Sequence, residues 1–394
     1  MKYMKNILRA ELDELVRMSE KVRLVTEYEE VYFVNCDSEG FFQRASSIAN
    51  RLESFKGVVV EKISAKNRLE VTFKLNSNKN FHFLEVADFL KLDSNKVILV
   101  DFKDSNHGTQ FGDFASTFGF NTIDYLKSMN DLAMVHTYLP VNIEREKIID
   151  HLDSFIKLID SLADSSSKLT VLARVKALIT SKREFLFNIA CPPSIFTRDD
   201  ESTSALYVTG KEHYVDVGAA HGDTVAQFYT ASLGQYESIT AFEPDSENYK
   251  SLNLLTESFP NTECHLAGLS DKSGTREFFE TPENRFGSRF DKNSSKNLPS
   301  VSVNIFKMDD IIEHVSMLKI DVEGHESYVL EGGRSIISSQ KPSMHISGYH
   351  FPEDLFKLVD LVRDIYPYKN IAIRHFSQNI YDTNILCSDM QRFS

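Results

Sequence analysis

The densest group of potentially reactive side chains in the sequence lies in residues 318–333, LKIDVEGHESYVLEGG. An apolar run typical of a strand is followed by three carboxylates and an imidazole, which are Asp321, Glu323, Glu326 and His325. Such side chains at the junction of a strand and a helix could hold a metal ion, transfer a proton or cap the helix. Carboxylates near a helix start contribute roughly 0.3–1 kcal/mol each. That explanation covers Glu323 and Glu326 but not Asp321, which stands at the strand end.

A second histidine, His350, follows the next predicted strand, PSMHISGYH. Ligands of open α/β sheets bind beyond the carboxyl ends of the strands, so His350, Asp321 and Glu323 form the predicted catalytic group. His350 is the first candidate for the base because its ordinary pKa is near neutral pH, and capping of the following helix is the alternative. Asp321 and Glu323 are expected to point in different directions, with Glu326 a turn further on, so no metal site is predicted.

A glycine-rich turn upstream indicates which ligand this sheet edge would bind. Residues 213–229, HYVDVGAAHGDTVAQFY, predict a strand, a tight turn and a helix, and SITAFEPD predicts a second strand that ends in Glu243. This is the nucleotide-binding arrangement of a doubly wound sheet. The turn lets the backbone approach the ligand, and the acid accepts hydrogen bonds from the ribose hydroxyls.

The residues of the turn favour S-adenosylmethionine over NAD. A dinucleotide-binding fold has glycine where Ala220 stands, and Asp223 puts a carboxylate where a pyrophosphate would lie at the helix N-terminus. S-adenosylmethionine has no phosphate and carries an ammonium and a sulfonium group, for which carboxylates are favourable neighbours. A purely structural turn capped by Asp223 is the alternative, but it does not account for Glu243.

The wider pattern predicts an α/β chain. The C-terminal part indicates a doubly wound Rossmann-like methyltransferase sheet that closes on a hairpin formed by NIAIRHF and DTNILC. The N-terminal part indicates a smaller Rossmann-like domain, because strands and helices alternate. The predicted divisions are an N-terminal helix (1–28), a Rossmann-like α/β domain (29–138), a helical linker (139–200) and a methyltransferase domain (201–394).

The first turn of the N-terminal domain differs from a dinucleotide site. The predicted strands are VYFVN, GVVVEKI, RLEVTFKL and KVILVDF. The turn after the first of them, NCDSEG, contains only Gly40, without the earlier glycines that let a pyrophosphate approach. A scaffold or docking role is therefore favoured over nucleotide binding.

Composition argues against some classes of partner. The formal net charge of −13 argues against nucleic acid and anionic membrane surfaces, whose binding depends on Lys and Arg. The four cysteines lie far apart, which is typical of a reducing compartment. Neither a signal peptide nor a transmembrane segment is predicted, so a cytoplasmic location is expected.

Four ordered motifs carry a resemblance to a known family. VDVGAAHGDT, AFEPDSENYKSL, LKIDVEGHESYVLEGG, and ISGYHFPEDLF with IRHF resemble the FkbM family of S-adenosylmethionine-dependent O-methyltransferases. The likeness covers about residues 207–387. It implies methyl transfer to a hydroxyl, commonly of a sugar in a surface polysaccharide or its precursor, and relatives in such pathways also carry a Rossmann-like N-terminal region.

The resemblance also implies roles for residues in these motifs. The methionine end of the cofactor would contact Asp216, Gly218, Ala219, Gly222 and Thr224. Glu243 would hold the ribose, and Pro244 and Asp245 would border the adenine.

Several alternatives stay open in the sequence. Residues 281–300 predict either a lid, in which Arg285 and Arg289 would meet an anionic acceptor, or a solvated loop. Arg374 could contact the acceptor or form a structural ion pair. The rival functions are a non-catalytic cofactor- or glycan-binding scaffold and an NAD-dependent oxidoreductase. A homo-oligomer is possible.

Overall fold

The computed structural model describes residues 2–36, 41–61, 82–102, 114–135, 138–280, 288–290 and 299–393. The candidate strand RLEVTFKL (residues 68–75), Gly40 and Arg285 lie outside these ranges. The chain divides into two compact units. One comprises Met1–Leu152 with Ala173–Asn188, and the other comprises Asp153–Leu172 with Ile189–Ser394.

Five described strands of the first unit form an all-parallel sheet. They are β1 (Glu30–Val34), β2 (Phe55–Val60), β3 (His82–Glu85), β4 (Val97–Asp101) and β5 (Asn121–Asp124). Their order is β3-β2-β1-β4-β5, as in doubly wound sheets. Every residue of β4, VILVD, is buried, as expected of a central parallel strand covered on both faces. The strands β3 and β5 were not predicted, because each has only four residues and is only partly buried.

Helices precede, separate and follow these strands along the chain. They are α1 (Lys2–Glu20), a 3-10 helix (Val25–Glu27), α2 (Phe42–Arg51), α3 (Val86–Phe89), α4 (Tyr125–Asp131), α5 (Val141–Asp150), α6 (Leu152–Ser161), α7 (Ser165–Thr180) and α8 (Glu184–Phe187). The boundary between the two units crosses both α6 and α7, which occupy the region predicted as a linker.

Seven of the described strands of the second unit form its main sheet, and the others form smaller sheets. The strands of this unit are β6 (Phe196–Thr197), β7 (Leu206–Tyr207), β8 (His213–Val217), β9 (Ser238–Phe242), β10 (Thr262–His265), β11 (Gly268–Leu269), β12 (Gly274–Phe279), β13 (Ser300–Phe306), β14 (Met317–Ile320), β15 (Ser343–Ser347), β16 (Asn370–His375) and β17 (Thr383–Ser388). The main sheet has the order β10-β9-β8-β14-β15-β17-β16, and β11-β13-β12 form a smaller sheet.

The helices of the second unit alternate with these strands. They are α9 (Asp223–Ala231), α10 (Ser246–Thr256), α11 (Met308–Ile311), α12 (Glu326–Gly332), α13 (Arg334–Gln340) and α14 (Asp354–Ile365). In the main sheet, β8, β9, β10, β14 and β15 run parallel to one another. The strand β17 is antiparallel to both β15 and β16. The predicted α/β class and closing hairpin are thereby confirmed.

Strand order fixes where a ligand can bind. From β8 the chain adds β9 and β10 on one side, and β14 and β15 on the other. The crevice between β8 and β14 is therefore the switch point at which doubly wound sheets bind ligands. The register pairs Asp216 with Lys319 and Val217 with Ile320, so the glycine turn and the acidic segment emerge side by side.

Arg374 belongs to the structure of the closing hairpin. Its guanidinium is 2% exposed and pairs with Asp164 at 3.1 Å, and it also donates to Ser167 Oγ at 2.8 Å and to Phe393 O at 2.8 Å. Of the two alternatives for Arg374, the structure shows the ion pair. No helix among the described residues is both long enough and apolar enough to cross a membrane.

Candidate functional site

A cleft opens at the carboxyl ends of β8, β9 and β14. It contains about 770 Å³ of empty space, including open solvent. The walls are formed by Val217, Gly218, Ala220, Asp223, Thr224, Phe242, Glu243, Pro244, Asn248, Gly268, Leu269, Phe278, Ser288, Phe290, Lys319, Asp321, Val322 and Glu323. The described part of the smaller sheet adds apolar side chains that the sequence did not single out.

Gly218 joins the glycine turn to the acidic segment. Its φ is +80°, and a Cβ at this position would lie 1.9 Å from the carbonyl oxygen of Asp321. Any larger residue would therefore combine left-handed backbone strain with a clash against backbone. The turn is also tied to β9, because the Gly218 and Ala219 amides both donate to Phe242 O at 3.0 Å.

Glu243 connects the turn to the start of α10. One carboxylate oxygen accepts from the Ala220 amide and the other from the Asp245 amide, both at 2.8 Å. Burial raises the pKa of Glu243 to about 7, although the two backbone hydrogen bonds act in the opposite direction. The carboxylate is thus fixed at the cleft wall, at the end of the second strand, as predicted for a ribose-binding acid.

Asp216 lies beneath the cleft and is completely buried. It accepts hydrogen bonds from Tyr214 Oη at 2.7 Å and from Thr224 Oγ1, and its other oxygen lies 3.1 Å from Lys319 Nζ. Lys319 also donates to Gly218 O at 2.6 Å. Asp216 therefore supports the turn through Lys319 and Thr224 and is absent from the cleft wall.

Lys319 was missed by the sequence analysis, although a lysine inside the apolar strand MLKI is a signal. It is 4% exposed and lines the floor of the cleft. Burial alone would lower the pKa of Lys319, but the negative charges of Asp216 and Asp321 outweigh this effect and raise the pKa. The ammonium thus holds a positive charge between the turn and the acidic segment.

The remaining predicted cofactor residues divide into two groups. Pro244 and Thr224 line the cleft. Asp245 instead caps α10, accepting from the Glu247 and Asn248 amides at 3.0 and 3.1 Å. Ala219 is buried, and Gly222 is the left-handed N-cap of α9, with a φ of +90°.

Asp321 and Glu323 both line the cleft, contrary to the expectation that they point in different directions. The reason is that β14 ends at Ile320, and Glu323 has a left-handed φ of +58°, so strand geometry no longer applies to it. Burial alone would raise the pKa of Asp321, but the nearby charges of Lys319 and His350 hold it below its ordinary value. Burial raises the pKa of Glu323 to about 7.

His350 is 1% exposed and lies behind these carboxylates. Its Nδ1 is 2.9 Å from Glu326 Oε1, and its Nε2 is 3.4 Å from Asp321 Oδ1 and 3.8 Å from Glu323 Oε2. Burial alone would lower the pKa of His350, but Glu326 and Glu323 raise it to about 10. The predicted catalytic group is therefore assembled in space, with His350 in its interior.

Glu326 and His325 have separate places at the start of α12. Glu326 is 2% exposed, and its Oε1 accepts from the Val322 and Gly324 amides at 3.0 and 3.3 Å. His325 contacts Ser270 Oγ at 2.9 Å through Nε2, and burial lowers its pKa to about 3. Of these two residues, only Glu326 has a contact with His350.

Comparison with known proteins gives a family match within the second unit and one similar solved structure. Residues 216–369 match the family model described as methyltransferase FkbM domain. The crystal structure of methyltransferase FkbM from Methylobacillus flagellatus KT aligns with 97% of this chain and 100% of its own, at a TM-score of 0.72 and 19% identity. No curated protein matches the chain.

Two further solved structures show weaker likeness. Fibrillarin from Aeropyrum pernix, in complex with natively bound S-adenosyl-L-methionine, aligns with 47% of this chain and 70% of its own, at a TM-score of 0.29 and 14% identity. An rRNA methylase from Streptococcus thermophilus aligns with 45% of this chain and 84% of its own, at a TM-score of 0.28 and 14% identity.

The matched residues include the glycine turn, Glu243, Lys319 and the acidic segment that together form the cleft. The part of the chain that forms the cleft is therefore similar to the methyltransferase FkbM domain, and this similarity supports S-adenosylmethionine as the cofactor.

Proposed function

We propose that the protein transfers a methyl group from S-adenosylmethionine to a hydroxyl of a sugar or glycan, in a surface polysaccharide or its precursor. One observation carries this proposal. The wall of a single cleft runs from the glycine turn and Glu243 to the carboxylates of Asp321 and Glu323. A cofactor bound at the first end would present its methyl group toward the second.

The cofactor assignment follows the chemistry of each wall. Gly218 and Thr224 would receive the methionine end, where Asp223 and Asp321 favour the ammonium and the sulfonium. Glu243 would accept the ribose hydroxyls, and Pro244 with Asn248 would border the adenine. The other predicted cofactor residues, Asp216, Ala219, Gly222 and Asp245, would act by holding these groups in place.

Methyl transfer is an in-line displacement at carbon. The bond from the acceptor oxygen to the methyl carbon forms as the carbon–sulfur bond breaks, S-adenosylhomocysteine leaves, and the hydroxyl proton passes to a base. Positioning the two reactants supplies much of the rate acceleration, and a base contributes roughly 10²–10⁴. We assign proton acceptance to the cleft-lining carboxylates of Asp321 and Glu323. The buried His350 orients them.

A sugar acceptor is supported by the polar character of this end of the cleft. Carboxylates accept hydrogen bonds from vicinal hydroxyls, and the Tyr349 hydroxyl, 3.4 Å from both Asp321 oxygens, adds a further polar group. Tyr349 is partly buried, and its ring packs against that of His350 with the centroids 4.2 Å apart. The four motifs that resemble sugar-modifying relatives favour the same class.

Calorimetry with S-adenosylmethionine, S-adenosylhomocysteine and NAD tests the cofactor, and a screen of glycan acceptors with radiolabelled cofactor tests the transfer. We expect both sulfur compounds to bind and label to enter a glycan. Binding of NAD alone would indicate an oxidoreductase. Binding of S-adenosylhomocysteine without transfer to any acceptor would favour a binding scaffold.

The proposed contact between Glu243 and the ribose predicts that cofactor affinity depends on pH. Its carboxylate is ionised above its pKa of about 7 and protonated below it, and only the ionised form accepts both ribose hydroxyls. Affinity for S-adenosylhomocysteine should therefore fall about tenfold from pH 8 to pH 6. Glu243→Gln should bind more weakly at pH 8 and lack this additional loss. The same pH dependence in both proteins would remove Glu243 from the ribose site.

A further inference from the structure

We propose that Asp321 and His350 bind a divalent metal ion beside the cofactor cleft, with Glu323 as a third ligand and Glu326 orienting the imidazole. The sequence favoured no metal here, because the acidic side chains were expected to diverge. Binding of the ion depends only on these residues, whereas its part in catalysis rests on the proposed function.

The spacing of the ligand atoms fits a shared ion. Metal–ligand bonds of ~2.0–2.2 Å put neighbouring ligand atoms roughly 3 Å apart. His350 Nε2 lies 3.4 Å from Asp321 Oδ1 and 3.8 Å from Glu323 Oε2. Ligand atoms of Asp321, Glu326 and His350 all lie within 4.8 Å of one another. Nε2 is thus the atom that Asp321 and Glu323 both approach, and an ion bound there would be shared by the three side chains.

The second ring nitrogen of His350, Nδ1, has the contact expected when the first nitrogen binds a metal. Histidines that bind a metal through one ring nitrogen almost always donate the other ring N–H to a carboxylate, a carbonyl or water. Here Nδ1 is 2.9 Å from Glu326 Oε1. Glu326 is fixed in turn by the Val322 and Gly324 amides. This chain of contacts directs Nε2 toward the cleft-lining carboxylates.

The charged side chains around His350 also favour a bound cation. Asp321, Glu323 and Glu326 bring three carboxylates to His350, whereas the single ammonium of Lys319, which also acts on Asp321, is shared with Asp216 and the Gly218 carbonyl. A divalent cation would compensate this excess of negative charge.

The ligand set indicates the class of ion. Imidazole with carboxylates suits Mn²⁺, Fe²⁺, Co²⁺ or Zn²⁺ better than Ca²⁺, which takes oxygen ligands. Three protein ligands leave coordination positions open toward the cleft. An acceptor hydroxyl bound there would be made more acidic, as bound water is. Its proton would still pass to an oxygen of Asp321 or Glu323 that does not bind the ion, and the metal would keep its oxidation state.

Titration of the chelator-treated full-length chain with Mn²⁺ tests the proposal, using the loss of the free-ion electron paramagnetic resonance signal. We expect one site per chain. Asp321→Asn and His350→Gln should each lower the Mn²⁺ affinity at least tenfold, and Glu326→Gln roughly 10–100-fold through the orienting contact. Glu331→Gln, on an exposed carboxylate of the same helix, should bind as the wild type does.

Circular dichroism and S-adenosylhomocysteine binding are measured on every variant. If His350→Gln fails to fold, the partly exposed Asp321 gives the deciding variant. Wild-type protein that binds no Mn²⁺, Co²⁺ or Zn²⁺ at millimolar concentration would overturn the proposal. So would folded Asp321→Asn with unchanged affinity. Because S-adenosylhomocysteine binding is read separately, neither result would by itself contradict the methyltransferase activity.

Discussion

Gly218 is the single residue on which both halves of the cleft depend. Its missing side chain lets the turn after β8 lie against the Asp321 carbonyl, and its amide donates to β9. Glycine is required at position 218 for two separate reasons, which are the left-handed φ and the lack of space for a Cβ. Another glycine in the chain has the first effect without the second, so the two can be separated.

We expect Gly218→Ala to lower the free energy of unfolding by about 2–4 kcal/mol, from strain together with the clash against backbone. Gly119 has a nearly identical φ of +83° and only Ser94 Oγ within 4 Å of an added Cβ, at 3.8 Å. Gly119→Ala should therefore lower the free energy of unfolding by about 1 kcal/mol, through backbone strain alone. Denaturant unfolding measures both. Equal losses would mean that the close approach to Asp321 does not matter.

At the scale of elements, the junction of β8 and β14 depends on one buried ion pair. Asp216 and Lys319 are cross-strand neighbours in the register, and their charges meet below the turn. Removing one charge leaves the other buried without compensation, which is far more costly than losing the attraction itself.

Lys319→Met should destabilise the protein by about 3–5 kcal/mol. The double variant Asp216→Asn/Lys319→Met should be less destabilised than the sum of the two single variants. Lys250→Met, which breaks the exposed pair with Glu247 on α10, should change stability very little. The double-mutant cycle is read from unfolding free energies. Simple additivity would show that the two charges act independently.

At the scale of the whole molecule, Arg374 joins distant parts of the second unit. Its partners Asp164 and Ser167 lie about two hundred residues earlier in the chain, within Asp153–Leu172, and Phe393 lies near the end. The region predicted as a linker thus contributes residues to the core of the second unit. The predicted start of the methyltransferase domain at residue 201 remains a prediction.

Arg374→Met should lower the free energy of unfolding by about 3–5 kcal/mol, because it leaves the Asp164 carboxylate buried without this ion pair. Arg363 also contacts this segment, through Ser161, but its bonds are exposed. Arg363→Met should therefore cause a much smaller loss. Thermal unfolding compares the two variants. A loss at Arg363 as large as that at Arg374 would show that burial of the charge is not the cause.

The local pattern was sufficient to predict the elements that carry the cofactor site. A strand, a turn with glycines at two positions and a helix occupy contiguous residues, and the acid at the end of β9 follows from the same unit. The seven-stranded sheet and its hairpin also followed from alternation along the chain. In such cases the interactions are local, so neighbouring residues contain the necessary information.

Tertiary structure alone decided which predicted residues line the cleft. Asp216 and Asp245 sit in the predicted motifs, but burial and capping turn both away from the cleft wall. Lys319, Phe278 and Phe290 enter the wall from other strands and segments. His350 meets Glu326 only because two parallel strands end side by side. Sequence determined the elements through local preferences, and long-range packing decided the partners, because contacts between distant residues depend on how the whole sheet is ordered.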